Sequence, residues 1–367
     1  MEKEERKGRK IRRIIGRILL SLLALIVLAA CGLFVYDKVN DRAIVKQLDE
    51  LGYVNTVSVG SHDLNVYLTG DPDSPYTLVY IAGLGSMAGL ADTEPLTDRL
   101  ADRYRFAIVD RSGYGLSEDT KEPQTVEQIV SDYRAALKAA GVEGPYVLMP
   151  HSIGGVYASY WEATYPEEIK AIVFLDVTQI GDPDYLEDAG FQDSVLFLKV
   201  EAALCKIGID RLVFDPASQT DFYIAEDKKA LGGMLWRICP ISWARCSEEK
   251  YIYSNIRTAF NSLSPNDIPK LMIYTSAETE EDARELFSYY KALTEASGGD
   301  ASYYDKTDEE IAAYVKERKE FDEMNLHPYI DRLGNVTYLK ILGHHYIYSH
   351  KPDEVAKAID EFLTDLS

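Results

Sequence analysis

Hydrophobic positions along the chain fall into two regimes. Residues 18–36 form a single uncharged run of 19 residues dominated by Leu, Ile, Val and Ala. As a helix rising 1.5 Å per residue it would be about 28 Å long, close to the roughly 30 Å hydrocarbon core of a bilayer. Beyond residue 37 the pattern changes: a polar stretch over 37–52 predicts a helical linker. After it, short β-rich runs alternate with amphipathic ones, which predicts a mostly parallel sheet covered by helices.

The predicted strands are 53–59 and 64–69, paired as a hairpin around Gly60-Ser61-His62-Asp63, then 77–81, 106–110, 146–149, 171–175, 271–275 and 336–342. Helices are predicted over 126–140, ending at Gly141, over 155–165, and over 353–366 as the closing amphipathic element. Between the strands at 171–175 and 271–275 lie about ninety residues rich in apolar side chains, Phe197, Leu212, Trp236 and Trp243 among them. That is too long for a bare loop. It predicts a helical cap over 178–267, inserted above the carboxyl ends of the strands, where ligands bind in open α/β sheets. A second insertion, about 279–334, holds a charged helix around 308–323. The expected division is therefore a basic tail (1–17), an anchor (18–36), a linker (37–52), an α/β core (53–177 and 268–367) and the cap (178–267).

Charge sharpens the first regime. Residues 1–17 carry eight Lys or Arg against three Glu, so the net charge of −21 for the whole chain becomes −26 for the remainder. A basic flank on an apolar span stays on the cytoplasmic side, which predicts a single-pass cell-membrane protein whose body lies outside the cytoplasm. A body so acidic repels polyanions, so nucleic acid is excluded as a partner. Leu28-Ala29-Ala30-Cys31-Gly32 also resembles a bacterial lipoprotein cleavage box, and the apolar run continuing to Tyr36 favours the uncleaved anchor over it. Of the other cysteines, Cys239 and Cys246 could pair, Cys205 is left over, and the spacing gives no C-x-x-C metal pair.

Chemistry concentrates at Val147-Leu148-Met149-Pro150-His151-Ser152-Ile153-Gly154-Gly155. A buried strand ending in a serine followed by glycines reads as a nucleophile elbow, in which one hydroxyl is lifted to the top of the sheet. Pro150 stands where G-x-S-x-G has its first glycine, and proline tolerates the extended conformation expected there. The same string also serves as an ordinary strand-to-helix turn.

Four motifs in order resemble the α/β-hydrolase superfamily over about residues 53–366: the turn Ala82-Gly83-Leu84-Gly85-Ser86, the string Asp110-Arg111-Ser112-Gly113-Tyr114-Gly115-Leu116-Ser117, the elbow, and Gly343-His344-His345 ahead of Lys351-Pro352-Asp353. The membrane-anchored arrangement looks like one found among bacterial relatives. The resemblance implies an α/β-hydrolase fold with an inserted helical cap, and a nucleophile, a base and an orienting acid. Ser152 takes the first role. Members place the histidine seven residues before the proline opening the last helix, which gives His345, with His344 as near rival. The acid is either Glu278, nine residues beyond Pro269, or Asp176 at the end of the preceding strand. Leu84 and Ile153 N–H groups are the expected oxyanion donors. His151 is expected to pack on the far side of its strand. No cofactor or metal is called for. The implied activity is that of a membrane-tethered serine hydrolase, esterase- or lipase-like, acting through an acyl-enzyme on a small ester or acyl substrate. The alternatives are amidase or peptidase chemistry, or a non-catalytic ligand-binding protein on the same scaffold.

Overall fold

The fold is drawn from a computed structural model, which describes residues 2–181, 192–213, 215–216, 226–238, 241–296 and 298–366. The expected pairing of Cys239 with Cys246 lies outside the described residues.

Helix α1 (Glu2–Glu50) is continuous. The anchor and linker expected from sequence are thus one rod, because the polar stretch after Tyr36 holds no glycine or proline to stop a helix before Gly52. Strands β1 (Thr56–Ser58) and β2 (Asp63–Gly70) form the opening hairpin, with Val57 opposite Leu64. β3 (Thr77–Ile81), helix α2 (Gly89–Leu100), β4 (Arg105–Val109), helix α3 (Val126–Ala139), β5 (Tyr146–Pro150), helix α4 (Gly154–Thr164) and β6 (Ile169–Leu175) then alternate. α3 begins at Thr125, whose side chain accepts from the Gln128 N–H, and is followed by Gly141 at φ +70°. These are ordinary start and stop signals.

Among the described residues, four helices fall in the interval between β6 and the next strand: α5 (Gln192–Cys205), α6 (Asp210–Val213), α7 (Glu226–Ile238) and α8 (Trp243–Ser262). The chain closes through β7 (Asn266–Tyr274), α9 (Glu280–Ala296), α10 (Asp308–Phe321), α11 (His327–Leu333), β8 (Gly334–Lys340), α12 (Ile347–His350) and α13 (Pro352–Asp365). The eight strands run in the order β1-β2-β4-β3-β5-β6-β7-β8. β2 is antiparallel to both its neighbours, and every other pair is parallel. Central strands β3 and β5 are buried along their whole length, as a parallel sheet covered on both faces requires.

Side chains alternate between two cores. Val79, Ile81, Leu148 and Ile172 meet α3 and α4 on one face, while Leu78, Tyr80, Val147 and Val173 meet α2 and α13 on the other. The first core also encloses an ion pair, Lys270 Nζ to Glu162 Oε1 at 2.8 Å, with both side chains fully buried. With both faces closed, the carboxyl edge of the sheet is where exposed chemistry is left.

Candidate active site

Ser152 sits where β5 gives way to α4. Its φ of 53° lies in the left-handed region, a strained position for a side-chain-bearing residue. The surrounding bonds hold it there. His151 N–H donates to Ile81 O at 2.9 Å, Gly154 N–H to His151 O at 2.8 Å, and Thr178 N–H to Ser152 O at 2.9 Å. Pro150 ends β5 opposite Ile81, so the next ladder bond comes from His151 and the missing proline N–H is not needed. Glycine is required just after: a Cβ on Gly154 would stand 2.3 Å from Ile81 O, and one on Gly155 2.6 Å from Val177 Cβ.

Asp176 follows β6 directly and is, among the described residues, the other non-glycine residue at positive φ, 45°. Its Oδ1 accepts from the Thr275 N–H at 2.9 Å, and its Oδ2 lies 2.6 Å from His345 Nδ1. One carboxylate oxygen is thereby fixed to the neighbouring strand and the other to the imidazole. Glu278 is elsewhere. It accepts from Tyr338 Oη at 3.3 Å and faces Lys340 Nζ at 3.6 Å, half exposed at the outer edge of the sheet. Of the two carboxylates expected as alternatives, the structure brings Asp176 to His345 and leaves Glu278 with Tyr338 and Lys340. A side chain already at the end of a buried strand needs no loop to deliver it.

His345 is 45% exposed, open enough to meet a ligand. His151 packs against it, ring centroids 4.5 Å apart, and its Nε2 lies 3.1 Å from the His345 carbonyl oxygen. The nucleophile candidate is thus the immediate chain neighbour of the residue on which His345 rests. His151 keeps the alternation of Val147 and Met149, its ring meeting Tyr348 edge-on at 5.2 Å, and the segment after β8 carries His345 onto that same face. Burial pushes the His151 imidazole well below its usual value, and the nearby His345 adds to the effect. It is a neutral ring, and its Nε2–H donates to that carbonyl.

His344 faces the other way. Its Nδ1 accepts from the Tyr346 N–H at 3.1 Å and its ring lies 4.7 Å from that of His350. Burial, then the His350 and His345 charges, hold it down at about 4. The unfolded chain takes up a proton near pH 6.5 that the folded His344 refuses, so this contribution is present above pH 6.5 and is lost as pH falls towards 4. Asp110, raised to about 7 by burial, works in the opposite sense, so the effect is read as a difference. The melting temperature of the wild type relative to His344→Asn is expected to drop between pH 7 and pH 5, by the equivalent of about 2 kcal/mol. Parallel melting curves across that range would refute the assignment.

Sequence reasoning missed the device that holds the turn after β3. Buried Arg111 donates Nη1–H to the Ala82 carbonyl and Nη2–H to the Gly83 carbonyl, the latter at 2.8 Å. The same guanidinium pairs with Glu248 of α8 at 3.1 Å, and Glu248 also accepts from Tyr114 and Tyr157 hydroxyls. Because a trans peptide points its N–H opposite its C=O, fastening the Gly83 carbonyl to Arg111 aims the Leu84 N–H away from it. Among the described residues neither the Leu84 nor the Ile153 N–H has a hydrogen-bond acceptor. Arg111 and Tyr114 belong to the string that follows β4, whereas nothing in the sequence marks Glu248.

Comparison with known proteins agrees with the architecture. A family model described as alpha/beta hydrolase fold matches residues 76–198. The uncharacterized protein YbdG of Bacillus subtilis (strain 168) is 23% identical over 96% of this chain and 97% of its own. The 2-(acetamidomethylene)succinate hydrolase of Mesorhizobium japonicum is 27% identical over 36% of this chain and 45% of its own. Among solved structures, the enol-lactonase from Burkholderia xenovorans LB400 superposes with a TM-score of 0.55 at 16% identity, covering 84% of this chain and all of that one.

Proposed function

We propose that this chain, an α/β hydrolase by fold, is a membrane-tethered serine hydrolase that cleaves carboxylic esters through an acyl-enzyme at Ser152. The observation that carries the reading is the 2.6 Å contact between His345 Nδ1 and Asp176 Oδ2, with the His345 ring resting on His151, the chain neighbour of a serine strained into the left-handed region. Asp176 accepts the Nδ1–H and fixes the tautomer that leaves Nε2 free to act as a base. In the first half-reaction Ser152 Oγ attacks the acyl carbon, its proton passes to His345 Nε2, and the alcohol leaves carrying that proton. Water then enters, gives a proton to the same nitrogen, and releases the acid with Ser152 restored. The Leu84 and Ile153 N–H groups, free of other acceptors, supply the donors for the negative oxygen of both tetrahedral intermediates. A serine at this position separates the reading from relatives in which an aspartate attacks.

Tethering is supported by α1, which is long and apolar enough to cross a membrane and is exposed along that stretch. Its basic start favours a cytoplasmic N-terminus, with the α/β body on the outer side. The interval between β6 and β7, read as a cap, lends α8 to the site through Glu248.

The test is covalent. Full-length protein in detergent, incubated with a fluorophosphonate, is expected to gain one phosphonyl group on the peptide bearing Ser152. No adduct, or an adduct on another residue, would overturn the reading.

A further inference from the structure

The membrane rod and the insertion meet at one place. Arg211 of α6 pairs with both Asp37 and Asp41 of α1. Gly208, in the turn between α5 and α6, lies directly on the rod: a Cβ there would stand 2.7 Å from Asp37 Cβ and 3.2 Å from Leu33 O. Leu33 lies inside the apolar run that ends at Tyr36. Three residues at 1.5 Å each put this contact about 4–5 Å within that run, measured along the helix. The turn between α5 and α6 is thus level with the last apolar turn of α1, while the sheet lies beyond Asp37.

The side chains of the two helices joined by that turn are out of character for a water-facing surface. Leu212 and Val213 of α6 are 72% and 81% exposed, and Leu196 and Phe197 of α5 are 70% and 65% exposed. Among the described residues, nine large apolar side chains are exposed beyond Leu51, and six of them belong to these two short helices. Contiguous exposed apolar surface marks an interaction site. Its neighbour here is the bare apolar length of α1 itself.

We infer that α5 and α6 form a shallow membrane-inserting surface, seated in the outer boundary of the bilayer that α1 crosses. The inference rests on α1 being a span. The occupant is lipid: a surface fixed to the rod inside its apolar run is already in the layer of headgroups and upper acyl chains, where amphipathic elements sit about 5–10 Å deep. The consequence for the proposed chemistry is the substrate class. α5 packs on α8, and α8 carries the glutamate that braces the turn after β3. Acyl lipids of the bilayer are therefore the esters presented nearest to the site.

The experiment introduces the photocrosslinker benzoylphenylalanine into the full-length chain in lipid vesicles, one position at a time. The positions are Leu23 within the span, Phe197 and Leu212 on the proposed surface, and Glu143, exposed before β5 at the end of that strand away from the insertion. All three test positions outside the span are exposed, so the fold tolerates them. Lipid adducts at 23, 197 and 212, with the yield at 212 about tenfold or more above that at 143, are the expected result. Adducts at 23 without adducts at 197 and 212 would overturn the inference and leave the span standing. An equal yield at 143 would overturn it as well. No adduct at 23 would remove the span and the inference together. None of these outcomes depends on hydrolysis, so a failed fluorophosphonate test would end the serine mechanism and leave the membrane surface in place.

Discussion

Ser152→Ala is expected to lower kcat for a p-nitrophenyl ester on the order of 10⁶-fold, the cost of removing a triad nucleophile. The loss should fall on kcat rather than KM, because the hydroxyl acts on the reacting carbon and not on the rest of the substrate. Stability should change little. Alanine at φ 53° has the same left-handed strain as serine, and the bonds that shape the turn come from the His151, Ser152, Gly154 and Thr178 backbone. A variant with unchanged melting temperature and lost turnover isolates the chemical role. One that keeps turnover within tenfold of wild type would end the acyl-enzyme mechanism.

Asp176→Asn is the second large effect, with an expected fall in kcat of about 10⁴-fold. Asparagine keeps the shape and can still accept the Thr275 N–H through its carbonyl oxygen. Its amide NH₂ would then face His345 Nδ1 and donate to it, which places the imidazole proton on Nε2, where Ser152 needs an acceptor. Glu278→Gln is the matched control. Its partners are Tyr338 and Lys340, so turnover should stay within about threefold, as expected for a half-exposed surface pair. If the glutamine variant were the slower of the two, the orienting acid would be Glu278 after all and the site geometry would have to change during turnover.

Much of the fold was legible because its signals are local. The central strands are unbroken apolar runs, α3 carries its own cap and stop, and the elbow is a contiguous string. Helix α2 was not legible: Pro95 inside it argues against a helix, and only burial of Leu90, Leu96 and Leu100 against the sheet overrides that preference. The acid was legible as two alternatives and no further. Choosing between Asp176 and Glu278 depends on which of two neighbouring strands ends nearer His345, a distance that no spacing encodes. The His151–His345 ring contact escapes the sequence for a similar reason, since alternation along β5 fixes the face of His151 but not which distant segment meets it there. Glu248 was invisible because its partner Arg111 is 137 positions away in sequence.

That last contact limits how this fold can be recombined. Helix α8, which the sequence places in the proposed cap, supplies the counter-ion for a buried guanidinium that grips the backbone beside Ser152. A chimera that grafts a foreign segment in place of α8 would strand Arg111 without its carboxylate, and an uncompensated buried charge costs about 3–5 kcal/mol. A graft that keeps α8 together with the turn it steadies should therefore fold where one that replaces α8 does not.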